Sequence, residues 1–384
     1  MRIVIDYTAA ARQGAGIGRY TRELITAILA DAGAADYVLM AACAGLGQSW
    51  TVEKERLRRV AGNRLPAFRD IPLTDDWMAR LWQRLRLPLP AEWITGRADV
   101  FYSPDFVLPP LLRRTRAVLT VHDLSFLRYP ETFPPALRGY LENAVPRSVA
   151  RSDAILADSQ ATRQDLIELL HVPPQKVTTL YCGVAARFTP GAAPGERERL
   201  QAKYGVGKRP YVLAVGTVQP RKNYPHLITA CAPLAKTHGI ELVIAGRAAW
   251  LAEPTLEAAR ANDYVHLMGF FADADLPALY RQAHVLAFPS LYEGFGFPPL
   301  EAMACGTPVV ASTASSVPEV VGEAGLLADP HDVSAWTSAL QRLLDDQDLR
   351  AQLRRDGFER ARQFTWEASA RQWRALVEKL AGSA

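Results

Sequence analysis

The sequence predicts an α/β protein built from two doubly wound parallel sheets, each in its own Rossmann-like domain. Short apolar runs of strand length alternate with helix-compatible stretches along almost all of the 384 residues. Strands that are continuously apolar, rather than alternately polar and apolar, are typical of parallel sheets covered by helices on both faces. A chain of this length exceeds one ordinary hydrophobic core and suits two domains.

Two series of strands carry this prediction. The first series lies in the N-terminal half, with an amphipathic helix at Tyr20–Leu29 after the first strand. Its strands are Ile3–Ile5, Tyr37–Ala41, Val100–Tyr102, Ala117–Val121, Ala154–Ala157 and Val177–Leu180. The second series comprises Tyr211–Val215, Leu242–Ala245, Val265–Met268, Val285–Phe288 and Val309–Ala311.

Glycine, alanine and proline collect in Cys182–Gly195, which is where the domain boundary is predicted. The expected domains are 1–185 and 186–365. A final helix, Trp366–Leu380 with Thr365 as its N-cap, belongs to a segment 366–384 expected to pack back on the first domain. Open parallel sheets bind ligands at the carboxyl ends of their strands, so the two sheets are predicted to face each other across a ligand-binding cleft.

Composition excludes several classes of protein. Hydrophobic residues make up 49% and charged residues 22%, which is globular. The net charge of +4 comes without an arginine-rich run, so no nucleic-acid partner is expected. Four separated cysteines, with no CxxC pair, predict neither a zinc site nor a disulfide framework. With strand residues directly after Met1, no leader and no spanning helix are expected, which favours a cytoplasmic protein.

The loop after the Val285–Phe288 strand contains two glutamates, Glu293 and Glu301, around the glycines Gly294 and Gly296. Pro298-Pro299 suits the first positions of a helix, which would place Glu301 in the first helical turn. Open backbone N–H groups at a helix N-terminus suit a phosphate, and a nearby carboxylate can accept hydrogen bonds from ribose hydroxyls. A first-turn glutamate that only complements the helix dipole is the alternative interpretation of Glu301.

Three further residues follow predicted strands. Arg221 and Lys222 come after the first strand of the second domain, where fixed cations can stabilise a departing diphosphate. His122 follows Ala117–Val121, and Asp123 is expected to orient its imidazole ring. A solvated basic pair and a histidine bonded within its own turn are the structural alternatives.

These motifs together resemble a known family. E-G-F-G-F-P-P-L-E-A-M-A-C-G-T-P-V-V, beginning at Glu293, is similar to the signature of retaining glycosyltransferases of family 4, which have the GT-B fold. Gly14–Tyr20, Val121–Leu124 and Gly216–Asn223 match further motifs of the family in the same order. The contexts of the first two most resemble bacterial mannosyltransferases of surface-polysaccharide assembly.

The resemblance implies that a hexose is transferred with retention onto a saccharide or lipid-linked saccharide, and it favours mannose from GDP-mannose as the transferred sugar. It implies catalytic roles for His122, Arg221, Lys222 and Glu293, with His122 completing the sugar site from the first domain. Attack on the same face of the sugar, with the diphosphate helping to deprotonate the acceptor, comes from the family as well. The implied donor-binding residues are Gly16, Gly216, Arg221, Lys222, Met268, Gly269, Phe270, Glu293, Gly294, Phe295, Gly296 and Glu301. No cofactor and no metal ion are implied.

Several alternatives stay open. A UDP-sugar could replace GDP-mannose, and a sugar-nucleotide epimerase, a glycoside hydrolase or a non-catalytic nucleotide-sugar binder could use similar features. The glycines at 14, 16 and 18 depart from the dinucleotide pattern because residue 19 is arginine. Asp273-Ala-Asp275 mimics a metal-binding DxD motif but is interpreted as a helix cap. The Trp77–Leu85 segment, predicted as one apolar helical face flanked by arginines, is either a core-facing helix or a peripheral contact with the inner face of the membrane.

Overall fold

The computed structural model describes residues 1–14, 16–31 and 33–382. Ala15 of the first glycine motif and residues 383–384 of the predicted C-terminal segment lie outside the described residues. The strands are β1 (Arg2–Asp6), β2 (Asp36–Ala42), β3 (Ala67–Ile71), β4 (Val100–Ser103), β5 (Arg116–Val121), β6 (Ala154–Ala157), β7 (Val177–Thr179), β8 (Tyr211–Val215), β9 (Glu241–Ala245), β10 (Val265–Gly269), β11 (Val285–Phe288), β12 (Val309–Ser312) and β13 (Leu326–Ala328).

Helices connect nearly all of these strands. They are α1 (Thr8–Arg12), α2 (Ile17–Ala30), α3 (Gln48–Ala61), α4 (Asp75–Ala79), α5 (Glu92–Thr95), α6 (Ser125–Arg128), α7 (Pro135–Arg151), α8 (Gln160–Leu170), α9 (Glu196–Tyr204), α10 (Tyr224–His238), α11 (Glu253–Arg260), α12 (Leu276–Gln282), α13 (Phe297–Ala304), α14 (Val317–Val321), α15 (Val333–Asp345), α16 (Gln347–Ala361) and α17 (Trp366–Gly382). Short 3₁₀ turns occur at Pro130–Thr132, Pro174–Lys176, Pro220–Lys222 and Asp273–Asp275, and a π-helical turn at Arg80–Arg84.

The strands form two parallel sheets with the order β3-β2-β1-β4-β5-β6-β7 in one and β10-β9-β8-β11-β12-β13 in the other. Every predicted strand is present, and the predicted class of two doubly wound sheets is confirmed. In each sheet the chain first builds outward on one side and then crosses to the other. The points at which the strand order reverses lie between β1 and β4 and between β8 and β11.

Contacts divide the chain into two compact units. The first unit contains residues 1–124, 139–183 and the chain from 365 onward, and the second contains 125–138 and 184–364. The sequence-based boundary between 185 and 186 did not anticipate that 125–138 groups with the second unit. There, the Trp250 indole N–H donates to the carbonyl of Thr132, 2.9 Å away.

The C-terminal helix α17 belongs to the first unit. The ring of Trp366 packs edge-on against Tyr20 at 5.9 Å between centroids, and Trp373 lies 5.4 Å from Tyr102. Thr365 accepts a hydrogen bond from the N–H of Ala368, as predicted for an N-cap. A Cβ on Gly183 would lie 2.3 Å from the Trp366 nitrogen, so glycine there permits the close approach of α17.

Two edge strands, β3 and β13, are absent from the sequence prediction. β3 carries exposed Arg69 and Asp70, and β13 has only three residues, of which Leu327 is exposed. Because its edge position exposes polar side chains, β3 lacks the continuous apolar run that identifies the predicted strands, whereas β13 is apolar (Leu-Leu-Ala) but very short.

The Trp77–Leu85 segment also differs from its prediction. The helix α4 passes into the π-helical turn, in which hydrogen bonds span five residues instead of four and change which side chains share a face. Met78 is buried, but Trp77 and Leu85 are exposed. The expected single apolar face is therefore split. No helix among the described residues is both long enough and apolar enough to span a membrane.

Candidate active site

Arg221 and Lys222 lie on the 3₁₀ turn that follows β8, beside the reversal point of the second sheet. Both cations contact the carboxylate of Glu293, which is on the loop after β11, the neighbouring strand. Arg221 Nη1 lies 2.9 Å from Glu293 Oε2, and Lys222 Nζ lies 2.5 Å from Oε1. The structure thus brings the adjacent pair Arg221 and Lys222 together with Glu293, which is 71 positions beyond Lys222, in one ion cluster at the carboxyl ends of two adjacent strands.

This cluster, called here the Glu293 cluster, is buried. Lys222 and Glu293 are each 8% exposed, and Lys222 Nζ also lies 5.1 Å above the ring of Phe288. Burial alone would raise the pKa of Glu293, but the charges of Arg221 and Lys222 outweigh that effect and lower it to about 2. The cluster accordingly carries two cations and one carboxylate, a net positive charge, throughout the neutral pH range.

The backbone holds this cluster in place. The N–H of Glu293 donates to Ser315 Oγ at 2.7 Å, and the N–H of Leu291 donates to the carbonyl of Arg221 at 2.9 Å. Gly216 at the end of β8 has φ +145°, and a Cβ there would lie 3.2 Å from Lys222 Cε. Glycine at this position therefore lets the lysine side chain run close to the backbone.

The glycine loop leads into α13 as predicted, with Gly296 at the N-cap position and two prolines in the first turn. Gly296 has φ +114°, which favours glycine. Phe295 is buried, its ring packs against Phe297 and Phe364, and its carbonyl accepts a hydrogen bond from Ser316 Oγ at 2.8 Å.

The placement of Glu301 in the first turn was wrong. The helix α13 begins at Phe297, which puts Glu301 in its second turn. Glu301 is buried and accepts a hydrogen bond from Tyr280 Oη at 2.8 Å. The prolines suit positions one or two residues after the helix start, so the helix begins before them rather than with them.

Met268, Gly269 and Phe270 lie at the edge of the same sheet, at the end of β10. The pairing with β9 is irregular between Leu267 and Gly269, and Gly269 has φ +66°. Phe270 is 64% exposed, and the guanidinium of Arg247 lies 4.2 Å from the centre of its ring. These residues present a flat face at the carboxyl edge of the sheet.

His122 follows β5 in the first unit and is 7% exposed. Its Nδ1 lies 2.7 Å from Asp158 Oδ2, and its Nε2 lies 3.0 Å from the carbonyl oxygen of Pro104. The expectation that Asp123 orients this ring is corrected by the structure, which places Asp158 on Nδ1. The reason is topological: β5 and β6 are adjacent, with Val121 opposite Ala157, so the next residue of each strand meets across the sheet edge.

Sequence reasoning missed Asp158, although it stands directly after a predicted strand. It also missed Asp6, the last residue of β1, and Asp105, which is two residues beyond the end of β4 at the same edge. Burial raises the pKa of Asp6 to about 6 and raises that of Asp105. An aspartate at the last position of a buried strand, or within two residues of its end, is the signal that could have found all three.

The first glycine loop lies between α1 and α2. Gly16 is the N-cap residue of α2, with φ +50°. The tightest packing is at Gly18, where a Cβ would lie 2.1 Å from the Gln13 carbonyl oxygen. Glycine at position 16 thus permits a positive φ, and glycine at position 18 leaves room for the Gln13 backbone.

Asp273 and Asp275 both pair with cations. Asp273 contacts Arg187, and Asp275 lies 2.6 Å from Lys203 Nζ. Asp275 is the N-cap residue of α12, but its side chain makes no capping hydrogen bond among the described residues, so the helix-cap interpretation of that side chain was wrong. Among the described residues, no group of three or more histidine, cysteine, aspartate or glutamate side chains is placed to hold a metal ion.

Comparison with known proteins identifies the family. The model described as "Glycosyltransferase Family 4" matches residues 14–188, and "Glycosyl transferases group 1" matches residues 196–360. An Escherichia coli protein described as "O-antigen chain mannosyltransferase B" is 33% identical over 363 residues, covering 92% of this chain and 93% of that protein. The chain belongs to the family 4, group 1 glycosyltransferases.

Solved structures agree on the fold of this glycosyltransferase. Sucrose-phosphate synthase from Thermosynechococcus elongatus superposes with a TM-score of 0.73 at 21% identity, covering all of both chains. HepE from Anabaena, solved with UDP and glucose, also gives 0.73, at 19% identity over 99% of this chain and all of that one. The GT-B fold expected from the motifs is confirmed, and the enzyme takes a nucleotide-sugar donor and a saccharide acceptor.

Proposed function

We propose that this glycosyltransferase moves mannose from GDP-mannose onto a saccharide hydroxyl during assembly of a bacterial surface polysaccharide, with retention of the anomeric configuration. The Escherichia coli relative named as an O-antigen chain mannosyltransferase supports the choice of sugar and of pathway. The observation that carries the transfer chemistry is the pair of cations, buried Lys222 and partly buried Arg221, where the strand order of the second sheet reverses. Ligands of doubly wound sheets bind at this position.

Arg221 and Lys222 stabilise the leaving diphosphate. Breaking the bond between the sugar and the phosphate builds negative charge on the departing oxygen, and cations already fixed in place stabilise that charge without reorganising. The guanidinium can bind two phosphate oxygens in parallel, while the ammonium acts as a compact charge. The low exposure of both side chains strengthens these interactions because little water screens the charges.

Glu293 occupies both cations before the donor arrives. The diphosphate competes with the carboxylate for Arg221 and Lys222, and the displaced Glu293 then accepts hydrogen bonds from hydroxyls of the transferred sugar. His122 is a second contact to that sugar. In this proposal the acceptor hydroxyl attacks from the face that the diphosphate leaves, and the diphosphate helps to remove its proton.

The nucleoside is held at the same edge of the second sheet. Glu301 binds the ribose hydroxyls, which would replace or share its bond from Tyr280. The base lies against the backbone of Met268–Phe270, where the exposed Phe270 ring and Arg247 provide a flat surface. The N–H groups of Gly294–Gly296, next to the start of α13, bind phosphate oxygens.

A thermal-shift series with GDP, UDP, ADP and their sugars tests the donor. A ligand that binds only the folded protein raises the melting temperature according to its concentration relative to Kd. We expect the largest rise with GDP and GDP-mannose, and no rise with either in the Lys222→Ala variant. Lys236→Ala, which removes an exposed lysine from α10, should respond as the wild type does.

A UDP-sugar is the second candidate donor, because the structurally similar HepE was solved with UDP and glucose. A larger thermal shift with UDP than with GDP would replace mannose in the proposal while leaving the transferase chemistry intact. Conversion of the donor in the absence of any acceptor would instead favour an epimerase.

We also propose that residues 75–95 contact an anionic membrane surface, which would bring the enzyme to a lipid-linked acceptor. Trp77 is 51% and Trp93 70% exposed, and Leu85, Leu89 and Ile94 are exposed in the same segment. Arg80, Arg84 and Arg86 are exposed in the same segment, and its acids at the surface are Asp76 and Asp75, the latter paired with Arg12. Aromatic side chains with neighbouring arginines suit the interface of an anionic bilayer.

Co-sedimentation with vesicles tests this contact. We expect binding to phosphatidylglycerol vesicles, weaker binding to phosphatidylcholine vesicles, and loss of binding in a Trp77→Ser/Trp93→Ser variant. Val52→Ser on α3 removes an exposed apolar side chain elsewhere in the first unit and should bind as the wild type does. Equal binding by the double variant and the wild type would refute the contact.

A further inference from the structure

Both nitrogens of the His122 ring face hydrogen-bond acceptors. The carbonyl oxygen of Pro104, 3.0 Å from Nε2, can only accept, so Nε2 carries a hydrogen. The other nitrogen lies 2.7 Å from a carboxylate oxygen of Asp158. A neutral ring protonated at Nε2 would set the Nδ1 lone pair against that carboxylate, whereas a hydrogen between them makes a charge-assisted bond. The two contacts together therefore require one proton more than a neutral imidazole beside an ionised carboxylate would hold.

Aromatic rings fix the plane of this imidazole. Tyr20 of α2 packs edge-to-face on His122 with 4.8 Å between ring centres, and Phe106, which follows β4, does the same at 5.4 Å. The Thr162 hydroxyl donates to the His122 carbonyl at 3.1 Å, which ties the backbone to the start of α8. The ring is thereby held in line with both acceptors.

The groups around the ring favour its charged form. Burial would lower the pKa of His122, but the carboxylates of Asp158 and Asp105 and the Pro104 carbonyl raise it to about 9. Asp158 Oδ1 is buried and has no hydrogen-bond partner among the described residues. The titratable groups that bear on this pair come from several elements: Tyr20 from α2, Tyr102 from β4, Asp105 after β4, Asp123 after β5 and Cys182 after β7.

We propose that Asp158 is a positioning residue that keeps His122 as an imidazolium, so that the ring serves sugar transfer as a fixed cation and hydrogen-bond donor and not as a base. This deepens the proposed function, because it rests on His122 contacting the donor sugar. A ring that already holds both protons cannot accept one from the acceptor hydroxyl. Its Nε2–H can be donated to a sugar oxygen in place of the Pro104 carbonyl.

Titration of His122 by NMR tests the protonation state without any substrate. The imidazole ¹⁵N signals, assigned with the His122→Gln variant, should show both nitrogens protonated at pH 7.5 and a midpoint near pH 9 in the wild type. In Asp158→Asn the midpoint should fall by about 1–3 pH units, the usual effect of removing a close opposite charge. A wild-type midpoint near the ordinary value for histidine would overturn the proposal even if no variant folds.

Asp153→Asn is the matched control. Asp153 precedes β6 as Asp158 follows it, and it pairs with Arg116 at 3.0 Å at the opposite edge of the sheet. This variant should leave the His122 midpoint unchanged. An equal shift in both variants would mean that general destabilisation, and not the Asp158 contact, controls the proton.

The pH profile of kcat/KM for sugar transfer tests whether the charge on His122 matters for the reaction. We expect the alkaline limb of the wild type near pH 9, and a limb displaced to lower pH in Asp158→Asn by the same amount as the NMR midpoint. A profile that does not move while the midpoint does would overturn the role of the charge in transfer. Failure of every nucleotide-sugar to support transfer would overturn the proposed function, while the NMR titration would still decide the role of Asp158.

Discussion

The Glu293 cluster in the second unit and the His122–Asp158 pair in the first share one arrangement of a cation and a carboxylate, but the cation differs chemically between them. In each, a cation after one buried strand meets a carboxylate after the neighbouring parallel strand. The second unit uses arginine and lysine, which stay charged across the neutral range. The first uses histidine, whose charge depends on a bound proton. The comparison teaches that the proposed phosphate site stays positively charged as the pH changes across the neutral range. The proposed sugar contact, His122, can instead lose its charge by losing a proton.

The largest expected effect tests the permanent cations. Lys222→Ala should lower kcat/KM for transfer by about 10²–10³, the usual cost of removing one donor to a charge that develops in the transition state. Because lysine does not titrate between pH 6 and 9, the loss should be the same at every pH in that range. Initial rates with a saturating acceptor, compared with Lys236→Ala, give the measurement, and a loss below threefold contradicts the role.

The second prediction concerns stability and pH. The pKa of His122 in the folded protein, about 9, exceeds its ordinary value of 6.5, so its contribution is fully present below pH 6.5 and is lost as pH rises through 9. The difference in unfolding free energy between the wild type and His122→Gln should therefore shrink from pH 6 to pH 9.5, by an amount on the order of 3 kcal/mol. Urea unfolding at the two pH values measures it.

Glu293→Gln supplies the contrasting case. The pKa of Glu293, about 2, lies below its ordinary value of 4.5, so its contribution is present above 4.5 and is lost only as pH falls through 2. The same urea comparison should give a constant difference between pH 6 and 9.5. A pH-dependent difference here, or a constant one for His122→Gln, would break the distinction between the two sites.

The third prediction concerns two tightly packed glycines, Gly246 in the second unit and Gly18 in the first. A Cβ on Gly246 would lie 1.9 Å from the Gly216 carbonyl oxygen, and one on Gly18 would lie 2.1 Å from that of Gln13. Because the obstacle is backbone in both cases, each alanine variant should lose at least about 2 kcal/mol of stability. Gly139→Ala in α7 meets open space and should gain roughly 0.5–1 kcal/mol. Urea midpoints that are equal for all three variants would contradict this packing.

The smallest expected effect is at Asp273, outside both sites. Its ion pair with Arg187 is substantially exposed, so Asp273→Asn should change stability by less than about 1 kcal/mol. Transfer should stay within twofold of the wild type, with or without EDTA, because no metal step is proposed. A large loss in the variant, or inhibition by EDTA, would revive the metal interpretation of Asp273-Ala-Asp275.

The central strands could be predicted because burial on both faces demands continuous apolar residues. β8 and β11 are fully buried and were found, whereas β3, with Arg69 and Asp70 exposed, was not. Arg221, Lys222 and Glu293 could be chosen one by one, since each follows a strand and matches a family motif. Their assembly into one buried cluster could not be predicted, because it depends on β8 and β11 being neighbours in the sheet.

The sequence by itself determined which residues end the strands, and hence which side chains stand at the carboxyl edges, since apolar periodicity and glycine positions are local properties. Only the tertiary structure decided which of those side chains meet. Asp123 is next to His122 in the chain, but Asp158 binds the ring because β6 lies beside β5. Partners are chosen by strand order, which brings residues dozens of positions apart to within hydrogen-bonding distance and which no local pattern records.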